Sequence, residues 1–221
     1  MNGYIVRQAE KKDVPFLVET VIAAEKGRSD KLSYATLFNL SESEVALLLA
    51  QMFNEEIDGC ELSISSFLIV EHEGETAAAS AVWIENFEDN MPSQILKSNL
   101  ILNTFDKESI AFFKTKAHII KDILIEREPL TLQLEYLYIT NKHVGKGLDA
   151  LLINTGQQNA IQKYPQLQKI QGQLFKNSIF AIIALRKKDF TIARTYKSEN
   201  PDILNYIPFN EKLLMEKILN K

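Results

Sequence analysis

The residues best suited to chemistry lie between Leu134 and Asp149, where an alternating apolar strand runs into a short turn and then into an apolar helix. The turn contains Gly145 and Gly147, and glycine tolerates the backbone angles that tight turns require. A helix that starts directly after such a turn presents unpaired backbone N–H groups, which bind anions. The segment therefore predicts an anion site at a strand end. An ordinary tight loop is the alternative.

The overall composition excludes several classes of protein. The 221 residues are 46% hydrophobic and carry a formal net charge of -4, so we expect no nucleic-acid partner. No apolar run reaches the roughly 20 residues of a membrane helix, so we expect no membrane association. Cys60 is the only cysteine, which rules out an intrachain disulfide and favours a cytoplasmic location. The three histidines share no metal-ligand spacing, so no metal is expected.

The order of predicted helices and strands indicates a mixed α/β (α+β) sheet protein. Asp13 is expected to cap the first helix, and Ser41 with Glu44 forms a capping-box signature before the second. Residues 28–40 lack periodicity and are expected to be loop. The predicted strands span residues 4–9, 66–71, 76–85, 130–139, 168–175, 190–196 and 204–209. The predicted helices outside the segment 87–128 span residues 14–27, 41–53, 147–164, 178–188 and 211–219.

Residues 87–128 differ from the rest and are predicted to be an insertion of two helices, bounded by Pro92 and Pro129. Apolar residues recur there at helical spacing, first around Ile95 and Leu102 and then from Ile110 to Leu124. Three roles stay open for these helices. They could cover a sheet edge, close over a substrate, or form the contact of a homodimer.

This order of elements resembles the GNAT acetyltransferase superfamily from Ile5 to about Phe209, apart from the insertion. Residues 5–9 with Asp13 are similar to the family's first strand and helix cap. Residues 137–148 align without gaps to its acyl-CoA turn, and residues 181–190 are similar to its last conserved helix. The resemblance implies a mostly antiparallel central sheet flanked by helices, with the insertion before the fourth strand. The chain, 1–221, would be a single acetyltransferase-like domain.

The resemblance also implies a site for acetyl-CoA as acyl donor. In this family the fourth strand splays from the fifth, and the pantetheine arm inserts between them while the turn binds the pyrophosphate. Two strand residues would offer backbone groups to the pantetheine, and the turn would offer N–H groups and one lysine charge to the phosphates. The implied cofactor-binding residues are Leu137, Ile139, Val144, Gly145, Lys146, Gly147, Leu148 and Asn177.

Glu135 is the candidate catalytic residue, because polyamine-type members of the family have a glutamate at the matching place that is proposed as general base. A protonated amine cannot attack a thioester, and a carboxylate in a partly apolar cleft has a raised pKa suited to accepting the proton. Regular alternation would place Glu135 on one face with Gln133, Leu137 and Ile139, opposite Leu132, Leu134, Tyr136 and Tyr138. A salt-bridged or solvent-facing glutamate is the alternative. Tyr34, Phe38 and residues 25–30 fall where the family's acceptor pocket often forms.

Four residues depart from the family pattern. Val144 replaces an Arg or Gln, Asp149 a Gly or Ala, Leu185 the tyrosine that protonates the leaving thiolate, and Asp189 a glycine. The first hypothesis is an acyl-CoA-dependent N-acyltransferase that acts on a small-molecule or peptide amine by direct attack. The second is a catalytically degenerate relative that binds acyl-CoA or a partner. The third is an unrelated α/β interaction protein whose 87–128 helices bind a partner.

Overall fold

A seven-stranded sheet organises the part of the chain that the computed structural model describes, residues 3–55, 57–86 and 91–219. The strand order is β1-β2-β3-β4-β5-β7-β6. Every neighbouring pair is antiparallel except β4 and β5, which are parallel. The strands are β1 (Tyr4–Gln8), β2 (Phe67–His72), β3 (Glu75–Ile84), β4 (Leu132–Ile139), β5 (Lys169–Phe175), β6 (Thr191–Lys197) and β7 (Glu211–Ile218).

Helices cover both faces of this sheet. One face packs on the helices that precede β4 in the chain, and the other packs on the first two helices that follow it. The mixed α/β sheet and its mostly antiparallel order are therefore confirmed. The helices are α1 (Val14–Lys26), α2 (Ser33–Phe38), α3 (Glu42–Asn54), α4 (Ser93–Thr104), α5 (Lys107–Ile120), α6 (Leu148–Lys163), α7 (Ile179–Arg186) and α8 (Ile203–Tyr206).

Local sequence explains several of these elements. The capping box of α3 is confirmed, because Ser41 Oγ accepts a bond from the Glu44 N–H while the Glu44 carboxylate accepts one from the Ser41 N–H. Gly156 lets α6 lie close to β3, since a Cβ at this position would approach Val82 to 3.0 Å.

No described helix is long and apolar enough to cross a membrane.

The prediction for the last two segments is wrong. Residues 211–219, predicted as a helix, form strand β7, and residues 204–209, predicted as a strand, overlap α8. Glu, Lys, Leu and Met dominate β7 and favour a helix locally. Hydrogen bonding to β5 on one side and β6 on the other overrides that preference. Ile203 and Ile207 are both buried at helical spacing.

Two predictions near the N-terminus are also corrected. Residues 28–40 contain α2, which buries Tyr34, Leu37 and Phe38 on one side. Asp13 does not cap α1 through its side chain. Its carboxylate instead accepts two bonds from Arg7, at 2.6 and 2.9 Å, and one from the Glu10 N–H. The ion pair with Arg7 ties β1 to the start of α1.

The predicted insertion forms α4 and α5, although its first residues, 87–90, lie outside the described part of the chain. The helix α4 packs against α3, and α5 packs against α2. The Phe38 ring lies 4.7 Å from the ring of Phe105 and 4.7 Å from that of Phe113, measured between centroids. The insertion therefore shares its core with the helices that cover the face of β2 and β3.

Candidate active site

A bulge in β4 decides which side chains face the helices of the first layer. Glu135 pairs with Ala81 and Tyr138 pairs with Ala79, so Ser80 alone stands opposite two residues of β4. Tyr136, in the bulge, has a positive φ of 50°. The extra residue reverses the side-chain alternation beyond this point.

The faces predicted from regular alternation are therefore wrong beyond Glu135. Tyr136 and Tyr138 lie on the same face as Glu135, because their hydroxyls bond to Glu25 and Glu19 of α1. Leu137 and Ile139 lie on the opposite face, in the clusters packed around α6 and α7. The bulge thus collects three polar side chains of one strand beneath α1.

The strands β4 and β5 separate soon after they meet. They are paired only from Leu132 to Leu134 on β4 and from Ile170 to Gly172 on β5. Beyond these pairs β4 continues to Ile139 and β5 continues to Phe175, with no pairing between them. The predicted splay is therefore present, and it opens toward the end of the sheet where β4 runs into the glycine turn.

The glycine turn has the geometry of an anion site. Gly145 and Gly147 have φ angles of 79° and 75°, and a Cβ on either would meet nothing within 4 Å. Glycine is thus favoured here by backbone angle rather than by space. Within residues 3–55, 57–86 and 91–219, the N–H groups of Gly145, Gly147 and Leu148 have no hydrogen-bond acceptor. Those of Val144 and Lys146 bond weakly inside the turn.

Most of the predicted cofactor-binding residues surround the open end of the splay. Leu137 and Ile139 follow the last paired residue of β4, and the turn starts just beyond them. Asn177 is exposed and follows the end of β5. Because β4 and β5 are parallel, these segments lie at the same edge of the sheet. Val144 is 61% exposed and therefore contributes little to the core.

Glu135 belongs to a chain of buried ion pairs. Its Oε1 accepts bonds from Nε and Nη2 of Arg127, at 3.1 and 2.8 Å. Arg127 Nη2 also reaches Glu61 Oε1 at 3.0 Å, and Lys97 Nζ lies 3.0 Å from the same oxygen. The guanidinium of Arg127 is anchored further by Ser93 Oγ, to which Nη1 donates at 3.0 Å. The salt-bridged alternative for Glu135 is thus observed, and a free carboxylate oxygen remains.

The two carboxylates of this chain have different proton affinities. Burial raises the pKa of Glu61, but Arg127 and Lys97 outweigh it and lower that pKa to about 2. Burial raises the pKa of Glu135, and Arg127 offsets only part of this effect. Glu135 Oε2 bonds to no residue in the described part of the chain. Glu135 is therefore held by one oxygen and has the other available as a base.

Lys212 on β7 approaches the same region. It pairs with Phe175 of β5, three residues beyond the last β5 residue paired to β4, so it lies level with the splay. Its Nζ is 5.1 Å from the centre of the Phe175 ring. Burial lowers the pKa of Lys212, and the negative charge of Glu25 opposes that effect.

We define the charge cluster by the side chains that interact electrostatically around Glu135 on this face. Tyr136 OH lies 3.3 Å from Glu25 and 3.4 Å from Lys97. Burial raises the pKa of Tyr34 and of Tyr136. The charge cluster consists of Glu25, Tyr34, Glu61, Lys97, Arg127, Glu135, Tyr136 and Lys212.

An open cleft of about 530 Å³ lies beside the charge cluster. Arg127 belongs to both, since the residue lines the cleft and its side chain bonds to Glu135. The other walls come from the segment before β4 and from the β6–β7 pair, so the cleft lies on the face that carries Glu135. The lining residues are Glu126, Arg127, Glu128, Pro129, Ala193, Arg194, Tyr196, Leu214 and Glu216.

Sequence reasoning missed Glu61, Lys97, Arg127 and Lys212. None of them belongs to a local motif, and only the fold brings them together. Tyr34 and the acidic stretch 25–30 were the available signals, and both contribute to the charge cluster. The described residues contain no group of three or more His, Cys, Asp and Glu side chains that could hold a metal ion.

Known proteins were compared with this chain by sequence and by structure. No protein-family model matches the chain, and no curated protein matches its sequence. Solved structures do match over nearly the whole length. An N-acetyltransferase from Staphylococcus aureus Mu50 has a TM-score of 0.64 at 13% identity, covering 97% of this chain and 100% of that one. An acetyltransferase of the GNAT family from Streptococcus pneumoniae has a TM-score of 0.52 at 16% identity, covering 98% and 99%. The chain has the GNAT acetyltransferase fold.

The third match is a variant of an agmatine N-acetyltransferase, with a TM-score of 0.56 at 12% identity that covers 99% of this chain and 100% of that one. Identities this low establish the fold and leave the acceptor open. The GNAT fold predicted from the sequence is confirmed, including the two helices inserted before β4.

Proposed function

We propose that the chain is an acyl-CoA-dependent N-acetyltransferase that moves an acetyl group from acetyl-CoA to the amine of a small molecule or peptide. The observation that carries this proposal is the coincidence of three features on one strand. The strand β4 carries Glu135, departs from β5, and ends at a glycine turn with free N–H groups. A single buried cysteine, Cys60, supports a cytoplasmic location as part of the proposal.

The donor half of the site would be built mainly from backbone. Beyond Leu134, the edge of β4 at Leu137 and Ile139 has no β5 partner, so its polar groups are available to the amides of a pantetheine arm. The N–H groups of Gly145, Gly147 and Leu148 suit a pyrophosphate at the start of α6. Val144 and Lys146 bond within the turn through their amides, so Lys146 would contribute its side-chain charge.

The acceptor half would depend on Glu135. Oε2 takes a proton from the bound ammonium or from the amine as it attacks, while Arg127 holds Oε1 in place. The amine nitrogen then forms a bond to the acetyl carbonyl carbon, the carbon–sulfur bond breaks, and CoA leaves as the thiolate. A bound ammonium gives up two protons in all, one through Oε2 to solvent and one to the departing thiolate, so the products are a neutral amide and CoA thiol. Leu185 is buried and has no acidic proton, so no side chain is assigned as acid.

The test is release of CoA thiol from acetyl-CoA in the presence of a broad panel of amines. Glu135→Gln should lower kcat by about tenfold or more, because a base contributes at least that much. Acetyl-CoA binding, measured by calorimetry, should be unchanged. Glu42→Gln is the matched control, since Glu42 pairs with Lys26 on an exposed part of α3. Unchanged turnover in Glu135→Gln would remove Glu135 from the mechanism.

The second candidate function is a degenerate GNAT-fold protein that binds acyl-CoA without transferring the acyl group. It is favoured by the ion pair that holds Glu135 and by Leu185 in the place of the family's tyrosine. Stabilisation by acetyl-CoA in a thermal melt, with no turnover of any amine, would support this candidate. Absence of both stabilisation and turnover would contradict both functions.

A further inference from the structure

Lys212 is a half-buried cation without an anionic partner. In the part of the chain that the structure describes, its ammonium takes part in no ion pair within 4.0 Å and no hydrogen bond. The apolar ring of Phe175 lies beside the ammonium, with its centre 5.1 Å from Nζ. Burying a charge without a partner is costly. An anionic ligand beside Lys212 would therefore be stabilised by this charge.

The carboxylates near Lys212 differ in the number of cations with which each forms an ion pair. Glu61 binds both Lys97 and Arg127, and Glu135 binds Arg127. Glu25 accepts one bond from the neutral hydroxyl of Tyr136, at 3.3 Å, and pairs with no described cation. Glu25 is also the strongest of the charges that act on Lys212. The charge cluster thus keeps one carboxylate and one ammonium that attract each other without touching.

The surrounding residues bring the end of α1 close to the part of the sheet that carries Lys212. Lys212 projects from the sheet on the side of Phe175, and Glu25 belongs to the last turn of α1. Gly27 at the end of α1 is close to that sheet wall, since a Cβ there would lie 3.9 Å from Phe175 and 3.6 Å from Phe209. Tyr196, the β6 partner of Lys212, and Leu214 also line the open cleft. The cleft is therefore lined by neighbours of Lys212 on both β6 and β7.

We propose that the acceptor is a zwitterion, an amine that also carries a carboxylate, as in a free amino acid. Its carboxylate binds Lys212, and its amino group lies between Glu25 and Glu135. This inference rests on the proposed function, which it narrows to one class of substrate. A purely cationic amine, such as agmatine, would place a positive charge near Lys212 and would be repelled.

Matched pairs of acceptors test the role of the carboxylate. Free amino acids and their amides have the same side chain and differ at the carboxylate, whose loss also lowers the pKa of the amine. Compared over a range of pH, the wild-type protein should prefer the free acids in kcat/KM by about tenfold or more. Lys212→Met should abolish the preference, because it should raise KM for the acids much more than for the amides. Lys212→Arg should retain the preference, because the charge is kept.

Lys176→Met is the control variant. Lys176 is exposed, follows Phe175 directly, and pairs with Glu211, so its loss should leave the preference unchanged. Equal use of acids and amides by the wild-type protein would overturn the inference, as would a preference that survives in Lys212→Met. Preferential use of diamines would overturn it as well.

A separate measurement distinguishes failure of this inference from failure of the proposed function. If no amine is acetylated, the proposed function fails. Calorimetric titration of the same amino acids and amides, with CoA present, then decides the inference alone. Binding of the acids that is lost in Lys212→Met supports it, and equal or absent binding of both series overturns it.

Discussion

Arg127 sets the proton affinity of two carboxylates that it contacts through the same guanidinium. Glu61 forms ion pairs with both Arg127 and Lys97, which lower its pKa to about 2 although it is buried. Glu135 receives Arg127 alone, through one oxygen, and burial keeps its pKa above the usual value for glutamate. Glu61 therefore stays ionised more readily, and Glu135 is the member of the pair with the higher affinity for a proton.

The first prediction concerns the pH dependence of acetyl transfer. A base must be ionised to accept a proton, so kcat/KM should fall about tenfold per pH unit below the pKa of Glu135. Burial raises the pKa of Glu135 and Arg127 lowers it. Arg127→Met should therefore raise this pKa further, so that the acid limb of the plot of kcat/KM against pH moves to higher pH. Arg127→Lys, which keeps a charge, should move the limb less. A limb that stays in place in Arg127→Met would contradict the assignment of Glu135 as base.

At the scale of elements, β4 and its turn depend on backbone angles that most residues avoid. Tyr136 occupies a positive φ in the bulge, and two glycines occupy positive φ in the turn. The bulge turns Tyr136 and Tyr138 toward α1, and the turn exposes N–H groups at the start of α6. Both features have backbone conformations that lower local stability, and both direct polar groups toward the splay.

The second prediction separates strain from binding in the turn. Gly147→Ala should destabilise the protein by about 1–2 kcal/mol, because a Cβ is disfavoured at its φ of 75°. It should also weaken acetyl-CoA binding, since the strained turn must shift its N–H groups. Chemical denaturation and calorimetry measure the two effects.

Gly74→Ala is the matched control for this change. Gly74 has a φ of 82° in the β2–β3 turn, and a Cβ there would also meet nothing within 4 Å. Its substitution should cost similar stability and leave acetyl-CoA binding unchanged. Equal effects of both variants on binding would show that the glycine turn does not contact the donor.

The sequence predicted the strand, turn and helix of residues 134–149 because each has a strong local signal. It could not predict the bulge, since Leu134 to Tyr138 alternate as in a regular strand and tyrosine suits either face. It also failed for β7, where helix-favouring residues are held in a sheet by two neighbouring strands. Lys97, Arg127 and Lys212 are far apart in the chain, so no spacing could reveal that they meet.

At the scale of the whole molecule, the insertion contributes side chains to the charge cluster. It supplies Lys97 from α4 and Arg127 from the segment that leads into β4, and both bind Glu61 in the loop after α3. Its helices are held by apolar packing on α2, with Phe38 between Phe105 and Phe113. The position of the charge cluster therefore depends on the packing around Phe38.

The third prediction tests that dependence. Phe38→Ala should lower the free energy of unfolding by about 3–5 kcal/mol, the usual cost of removing a buried aromatic ring. Acetyl transfer should fall as well, because Lys97 and Arg127 lose their fixed positions. Leu47→Ala is the control, since Leu47 lies on α3 with 67% of its surface exposed. Urea denaturation and the CoA-release assay measure the two effects, and full activity in Phe38→Ala would contradict the coupling.

The place of β7 in the sheet has a consequence for how the molecule assembles. β7 follows β6 in the chain, yet it lies between β5 and β6, and β6 bonds to the sheet only through it. On the ribosome, β6 emerges before the strand that will hold it, and the edge of β5 stays unpaired until residues 211–218 have been made. Lys212 is on that same strand. The acceptor side of the site proposed above is therefore incomplete until β7 has been made, so a nascent chain that has not reached residue 218 lacks it.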